Sequence, residues 1–205
     1  MDQRAVWDAI APTWTRYRTN VMRDVYSFAA TVPEKPKLRI LDVGCGNGRN
    51  LPPFRRHALC GVDFSPAMIR CARAFCRQRG LKVRLRVANI TKLPYRKNTF
   101  DVVLSIAMLH HVAPGAQRRA LAEMRRVLAP GGRLFLTVWY KRGGSARSVP
   151  WLPKTKAYQR YYYFFSKNEL VTLMKKCGFT VEQAAITAHG KERNLVVTAA
   201  AAKRL

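Results

Sequence analysis

The stretch Ile40–Leu51 contains the residues best suited to bind a ligand. An apolar run ends there in Asp42, and glycines follow at the alternate positions 44, 46 and 48. Because glycine has no Cβ and tolerates positive φ, this spacing predicts a sharp turn whose backbone comes close to a ligand. A second apolar run ends in Asp63, fifteen residues after Gly48. A carboxylate at the tip of the next strand suits the two hydroxyls of a ribose.

The charge of Asp42 restricts the kind of ligand. Dinucleotide sites use the spacing G-x-G-x-x-G and place a pyrophosphate over a helix N-terminus, whereas this chain has G-x-G-x-G directly after an acid and a valine. Asp42 would repel a phosphate and attract a cation. The loop therefore suits an ammonium or a sulfonium group better than a phosphate.

The elements that must position these residues alternate between strands and helices. Apolar runs predict strands at 38–43, 58–63, 83–88, 100–106, 133–139, 179–185 and 194–200. Amphipathic periodicity and capping residues predict one or two helices within 3–32, with a break early at Pro12. A further helix is predicted to end near Arg55 and Arg56, and another to run from Ser65 to Gly80. Two more are predicted at 117–128 and 166–177. This alternation predicts an α/β fold with a doubly wound, mostly parallel, seven-stranded sheet.

The chain has the length of one domain, which we take to be residues 1–205. Within it, residues 1–37 supply N-terminal helices, 38–139 the ligand-binding core, and 166–205 a C-terminal helix with the last strands. Residues 140–165 interrupt the alternation with tyrosines and basic residues and contain no acid. We interpret that segment as an inserted cap on the substrate side of the site.

The net charge of +27 comes from 38 Lys and Arg against 11 Asp and Glu. Residues 64–100 and 124–168 each hold ten basic side chains and no acid. Such a field gives no fold stability and suits a polyanion, for which nucleic acid is the leading interpretation. The alternatives are a source whose proteome is basic throughout, or a solvated surface without a polyanionic partner.

The cysteines and the hydropathy pattern bear on the compartment. Five cysteines show no C-x-x-C and no metal-ligand spacing, so we predict no metal site and mostly buried cysteines in a reducing compartment; one disulfide stays open as an alternative for a thermophilic source. Charged residues at positions 2, 4 and 8 argue against a signal peptide, and no apolar run approaches the roughly 18 residues of a membrane span. We therefore expect a cytoplasmic protein that does not enter a membrane.

As a set, the motifs LDVGCGNG, GVDFS, ANITKLPYRKNTFDVVLS and RRVLAPGGRL resemble the class I S-adenosylmethionine-dependent methyltransferases over residues 38–139. The resemblance implies their Rossmann-like methyltransferase fold and S-adenosyl-L-methionine as cofactor. In that family the glycine loop wraps the methionine moiety, the acid after the second strand holds the ribose, and a residue after the third strand holds the adenine. Carried over, the cofactor-binding residues are Asp42, Gly44, Gly46, Asp63, Phe64, Asn89, Ile90 and Ser105. Asn89 stands where the family usually has aspartate, and we expect its amide oxygen to accept from the adenine amino group.

The flanking segments resemble a narrower family, the wobble-uridine tRNA carboxymethyluridine methyltransferases. The resemblance rests on IAPTWTRYR, LHH at 109–111, VPW at 149–151, RYYYFFSKNEL at 160–170 and ERNL at 192–195. It departs from the family pattern at Tyr163, which replaces a histidine, and in the last motif, where only Asn194 is in place. The substrate-side residues that the resemblance implies are Arg18, His110, Arg160, Tyr161 and Asn194.

This resemblance implies that the chain methylates the carboxylate of 5-carboxymethyluridine at the wobble position of tRNA. It implies the anticodon loop as one partner, with Arg70, Arg73 and Arg77 on backbone phosphates. It also implies a small zinc-binding activator subunit along the third-strand edge, at 83–89. Two alternatives stay open: a small-molecule or other RNA methyltransferase of the same fold, and a non-catalytic RNA-binding protein.

Overall fold

The computed structural model describes residues 2–141, 145–152, 155–189 and 192–202. Its strands are β1 (Arg39–Val43), β2 (Ala58–Asp63), β3 (Val83–Val87), β4 (Phe100–Ile106), β5 (Leu128–Trp139), β6 (Ser145–Leu152), β7 (Thr155–Phe164), β8 (Phe179–His189) and β9 (Glu192–Ala201). Its α-helices are α1 (Gln3–Tyr17), α2 (Arg23–Ala29), α3 (Pro66–Gln78), α4 (Pro114–Val127) and α5 (Lys167–Lys176).

Seven of these strands form one sheet in the order β3-β2-β1-β4-β5-β9-β8. The first five strands of this order are parallel, and β9 and β8 join them antiparallel. The predicted doubly wound, mostly parallel sheet of seven strands is therefore confirmed. Buried side chains on one face of the sheet pack against α4 and α5, and those on the other face pack against α2 and α3.

The local sequence accounts for the helix that follows β2. The Ser65 side chain accepts a hydrogen bond from Met68 N–H and Pro66 occupies the first helical position, as the sequence predicts. The Asp8 carboxylate of α1 adds to this cap, because it accepts from Ser65 Oγ–H at 2.6 Å and Ala67 N–H at 3.0 Å. Helix α1 is thereby attached to the end of α3 nearest Asp63.

Two of the predicted helix boundaries are wrong. Pro12 lies inside α1, which continues to Tyr17 because its apolar face buries Val6, Ile10 and Ala11 and offsets the cost of the proline. The helix expected after the glycines is also absent. Turns and one 3₁₀ turn, Pro52–Phe54, occupy that stretch instead, since two consecutive prolines interrupt the hydrogen bonding of an α-helix.

The segment 140–165 supplies an antiparallel hairpin of β6 and β7 instead of further sheet strands. Strand β7 of this hairpin packs against α1 and the 3₁₀ turn Leu109–His111. Gln3 ties α1 to this strand, donating from Nε2 to Gln159 O at 3.1 Å and accepting from Tyr161 N–H at 2.8 Å. The hairpin thus packs behind α1 and the 3₁₀ turn, and its role as a cap stays a prediction.

The connection between β3 and β4, residues 88–99, is fully described and contains no helix. One face of β2 and β3 packs on α3, and in the described part of the chain no helix covers the opposite face at this edge of the sheet. Arg84 and Arg86 project from that uncovered face and are exposed. None of the helices in the described ranges combines the length and apolar character needed to span a bilayer.

Candidate functional site

A cavity of about 340 Å³ lies at the carboxyl ends of the parallel strands, where open α/β sheets bind ligands. Its walls are the glycine loop, the ends of β2 and β4, the 88–91 segment, and α1. Six predicted cofactor residues line it, namely Gly44, Gly46, Asp63, Phe64, Asn89 and Ile90. The other predicted residues lie outside its lining, namely Asp42, Ser105, Arg18, His110, Arg160, Tyr161 and Asn194.

The glycine loop requires glycine at its first position. Gly44, Gly46 and Gly48 have φ of 75°, 53° and 79°, a region that other residues rarely adopt. A Cβ on Gly44 would lie 2.1 Å from Cγ of Met108. The loop also turns back on β2, since the N–H groups of Gly44 and Cys45 both donate to Val62 O. The backbone therefore reaches the cavity wall without a side chain in between.

Asp42 is buried directly behind this loop, and neither carboxylate oxygen has a hydrogen-bond partner within the described residues. Burial, with a smaller contribution from the nearby Asp63, raises its pKa to about 7, and Arg49 opposes the shift. A buried carboxylate without a partner is costly and calls for a cation. The ammonium group of a methionine moiety meets that need.

Asp63 is buried and fixed at the end of β2. Its Oδ2 accepts from Gly46 N–H at 3.0 Å and its Oδ1 from Ser65 N–H at 2.9 Å. Burial raises its pKa to about 6, although these backbone hydrogen bonds lower it. The carboxylate is held in one orientation on the cavity wall, as a ribose site requires.

Asn89 has a different hydrogen-bonding role from the expected one. Its Oδ1 already accepts from both the backbone N–H and the hydroxyl of Thr91, each at 2.9 Å. An amide oxygen has two lone pairs, so the group that Asn89 can offer to a ligand is its NH₂. That donor suits a ring nitrogen of adenine rather than the amino group.

The histidine pair takes opposite tautomers. His110 Nδ1 accepts from Trp139 N–H at 3.1 Å, so the ring proton of a neutral His110 is on Nε2. His111 Nδ1 is 2.9 Å from Tyr161 O, and a carbonyl only accepts, so His111 carries its proton on Nδ1. Burial lowers the pKa of His111 to about 3 and that of His110 well below its usual value, and nearby Arg160 lowers both. Both rings are therefore neutral at physiological pH.

His111 lines the cavity and His110 lies behind it. The His110 ring stacks on Tyr162 and Trp139, with ring centroids 5.2 and 5.8 Å apart. The sequence motif LHH does not distinguish the two rings, and the structure makes His111 the one whose Nε2, a hydrogen-bond acceptor, can meet a ligand in the cavity.

Arg160 is a buried cation beside this histidine pair. It is 7% exposed, its Nε has no partner within the described residues, and its Nη2 donates to Pro150 O at 3.4 Å. The guanidinium lies over the rings of Trp151 and Tyr162, 5.0 and 5.2 Å from their centroids. Burial lowers its pKa, and the positive charge of Arg18 lowers it further. The structure therefore places two predicted arginines, Arg18 and Arg160, within electrostatic range of each other.

The remaining predicted residues, Tyr161, Asn194 and Ser105, differ in their burial and in their hydrogen-bond partners. Tyr161 contributes its backbone to His111 and Gln3, and its side chain is half-buried. Asn194 is buried opposite Trp139 in the β5–β9 pairing, and its Oδ1 has no partner within the described residues. Ser105 is fully buried in β4, and its hydroxyl likewise has none.

Sequence reasoning missed the aromatic wall that α1 gives the cavity. Trp7 and Trp14 both line it, and Trp14 lies 3.7 Å from the position of a Cβ on Gly46. Trp7 also makes an edge contact with the His111 ring, with centroids 4.9 Å apart. Their seven-residue spacing puts both indoles on one helix face, which is the signal that could have found them.

Comparison with known proteins agrees with this geometry. The family model described as a methyltransferase domain matches residues 41–136. A protein of Encephalitozoon cuniculi, named as a methyltransferase without a stated substrate, is 35% identical over 159 residues, which are 69% of this chain and 70% of that protein. The chain belongs to the class I S-adenosylmethionine-dependent methyltransferases, whose cofactor the orphaned Asp42 and the glycine loop fit.

A narrower likeness is to tRNA-modifying enzymes. The tRNA (carboxymethyluridine(34)-5-O)-methyltransferase of Arabidopsis thaliana is 34% identical over 155 residues, which are 75% of this chain and 36% of that protein. Across the relatives named for tRNA methylation, the chain spans between 20% and 57% of their own lengths.

Solved structures show the same fold. The Burkholderia thailandensis 1,6-didemethyltoxoflavin-N1-methyltransferase, which contains S-adenosylhomocysteine, has a TM-score of 0.78 at 24% identity over 98% of this chain and 87% of its own. A chain in the complex between the Haloferax volcanii Trm112 methyltransferase activator and a methyltransferase has a TM-score of 0.77 at 20% identity, covering 100% and 99%. At these identities the likeness concerns the fold alone.

Proposed function

We propose that this methyltransferase acts on tRNA and esterifies the carboxylate of a 5-carboxymethyluridine at the wobble position. The observation that carries the proposal is the buried Arg160, a guanidinium without an acidic partner within the described residues, which shares its surroundings with Arg18. A planar guanidinium binds a carboxylate with two parallel hydrogen bonds. The relatives named for carboxymethyluridine methylation point to the same acceptor.

The chemistry asks little of the protein besides positioning. When bound, S-adenosylmethionine supplies a methyl group on a sulfonium. A carboxylate acceptor is already ionised at neutral pH, so the site needs no general base. The neutral His110 and His111 add no positive charge to that of the arginines beside the acceptor. Arg160 and Arg18 orient the acceptor, and the ring stack around Tyr162 excludes water.

The predicted residue roles stand as part of this proposal. Asp42, the glycines and Asp63 bind the cofactor, with Asn89 and Ile90 at the adenine and Phe64 and Ser105 beside them. Arg18, Arg160, Tyr161 and Asn194 surround the acceptor, with His111 joining His110 as a second histidine of the site.

A small activator subunit that binds zinc completes the proposal, placed at the free edge of β3. Strand β3 is the outer strand of the sheet, and Val87 at its end is 45% exposed. An unpaired strand edge readily takes a partner strand. Addition of the activator should raise the melting temperature of the parent and leave that of a Val87→Lys variant less changed. A cytoplasmic location stays a prediction.

Methyl transfer to bulk tRNA, with and without the activator, followed by nucleoside mass spectrometry tests the acceptor. We expect label in a carboxymethyl ester of wobble uridine. Label that appears only in protein, lipid or metabolites would overturn the tRNA assignment, and label elsewhere in tRNA would overturn the wobble position alone.

The role of Arg160 has a matched control on the same hairpin. Arg160→Ala should lose transfer and keep cofactor binding, and Arg160→Lys should recover little, because an ammonium lacks the planar fork. Arg147 is exposed and pairs in register with Tyr162, so Arg147→Ala should leave kcat near the parent value. Loss of cofactor binding in Arg160→Lys would contradict the assignment.

A further inference from the structure

A second, larger concavity lies at the opposite end of the sheet from the cofactor cavity. This groove, of about 1020 Å³, runs along the amino ends of β1, β2 and β4 and up the uncovered face of β3. Its lining includes the buried Leu59 and the half-buried Cys60 and Tyr95. Since β1 has five residues, the groove and the cavity are separated by about 17 Å of sheet.

The residues that line this groove carry an unbalanced positive charge. Six are Lys or Arg, none is acidic, and only one of the six, Arg39, has an ion-pair partner within the described residues. The other five are exposed, namely Lys37, Arg55, Lys82, Arg84 and Arg86. Like charges gathered around one concavity repel one another, so the arrangement needs a reason outside fold stability.

The fold explains why these charges can be there. A doubly wound sheet normally has helices on both faces, and its strands are then apolar on both sides. Here the 88–99 connection leaves the outer face of β3 bare, and that face carries arginine instead of apolar side chains. Arg86 lies 5.7 Å from the ring centroid of Tyr95, which gives the groove an aromatic floor as well as charge. A surface of this kind is built for a charged ligand in water.

We infer that this groove binds the phosphate backbone of the duplex stem that adjoins the methylated loop, an inference that rests on the proposed action on tRNA. A duplex RNA is recognised through its shape and phosphates rather than its bases. Exposed cations of α3 on the other face of β3, Arg70, Arg73 and Arg77, continue the same charge around the sheet edge. The backbone edge of β3 stays available to a partner strand, and the charged side chains on the two faces beside that edge suit a rod of phosphates.

The test compares two triple variants of equal charge change. The groove variant is Lys82→Gln/Arg84→Gln/Arg86→Gln, and the control is Lys167→Gln/Lys175→Gln/Lys176→Gln on the exposed face of α5. The probes are a hairpin RNA with the stem and loop of an anticodon arm, and a single strand with the loop sequence alone. Affinity is measured by fluorescence anisotropy over a salt series, and S-adenosylhomocysteine binding checks the fold of each variant.

We expect the groove variant to lose about tenfold or more in hairpin affinity, and its log-affinity against log-salt slope to fall by about three. The single strand should bind parent and groove variant alike, and the control should match the parent on both probes. Equal hairpin affinity of parent and groove variant would overturn the inference and leave the proposed function intact. Unchanged hairpin affinity with loss of activator binding would overturn it in favour of a protein partner. Failure of the parent to bind the hairpin would overturn both.

Discussion

Replacement of Asp42 by asparagine should stabilise the cofactor-free protein at alkaline pH. The ordinary aspartate pKa is 3.8, and burial raises that of Asp42 to about 7. Each pKa unit is worth about 1.4 kcal/mol, so the folded state gives up about 4 kcal/mol to ionise this carboxyl at pH 8. Asparagine has nearly the same shape and cannot ionise.

The pH dependence follows from the direction of the shift. Between pH 4 and 7 the folded state holds a proton on Asp42 that the unfolded state has released, so the stability of the parent falls as pH rises through this window. The gain from Asp42→Asn should therefore be small at pH 4, grow toward pH 7, and level off near about 4 kcal/mol. Urea denaturation of parent and variant across this range measures it.

Asp101→Asn is a control for which the expected change in stability at pH 8 has the opposite sign. Burial raises the pKa of Asp101, but the hydrogen bonds and charge of Arg39 outweigh burial and lower it. Its ionised form therefore stabilises the fold at pH 8, and this contribution is lost as pH falls through its folded pKa, so Asp101→Asn should destabilise at pH 8. A stability difference between Asp42→Asn and parent that stays constant from pH 4 to 8 would refute the account of Asp42 as an unpartnered buried charge.

Ligand binding to Asp42→Asn shows whether the ammonium or the sulfonium of S-adenosylmethionine lies nearer the carboxylate. S-adenosylhomocysteine keeps the ammonium of S-adenosylmethionine and lacks its sulfonium charge. If Asp42 meets the ammonium, Asp42→Asn should weaken both ligands by similar factors at pH 8. A loss confined to S-adenosylmethionine would place the sulfonium nearest the carboxylate instead.

Two further substitutions test the loop and its attachment to α1. Gly44→Ala should cost about 2 kcal/mol or more and abolish cofactor binding, because its φ is +75° and Met108 occupies the space of the new methyl; normal cofactor affinity in calorimetry would show that the loop can adapt. Asp8→Ala should cost about 1–2 kcal/mol in urea denaturation, because Ser65 and Ala67 lose their acceptor at the start of α3. Asp2→Ala removes a carboxylate from the exposed start of α1 and should cost less, and equal costs would remove any special role for Asp8.

Much of the fold could be predicted because its strands are continuous apolar runs. The predicted bounds of β2 and β4 match the structure at both ends, and Ser65-Pro66 marks the start of α3. Such signals are local, since the residues that decide them are neighbours in the chain. The missing helix after the glycines and the continuation of α1 past Pro12 depend on packing that no local pattern contains.

The candidate site also combines features that the local sequence indicates with features that depend on contacts in three dimensions. The glycine loop and Asp63 could be predicted because residue type and spacing are enough to indicate their chemistry. The presence of His111 in the cavity lining could not be predicted, because a 3₁₀ turn decides which of the two histidine rings reaches the cavity. The role of Asn89 also depended on a neighbour, Thr91, whose competition for the amide oxygen appears only in three dimensions.

The attachment of α1 has a consequence for the order in which the chain is made. Trp7 and Trp14 of α1 line the cavity, and they are synthesised before the strands of the sheet and the hairpin. Strand β7, which anchors Gln3, is made more than a hundred residues later, since the two hydrogen bonds between Gln3 and this strand span sequence separations of 156 and 158. Contacts of such range form late in folding. In a nascent chain the α1 wall of the cavity therefore lacks this anchor until β7 has been made, and we expect cofactor retention to accompany completion of the hairpin.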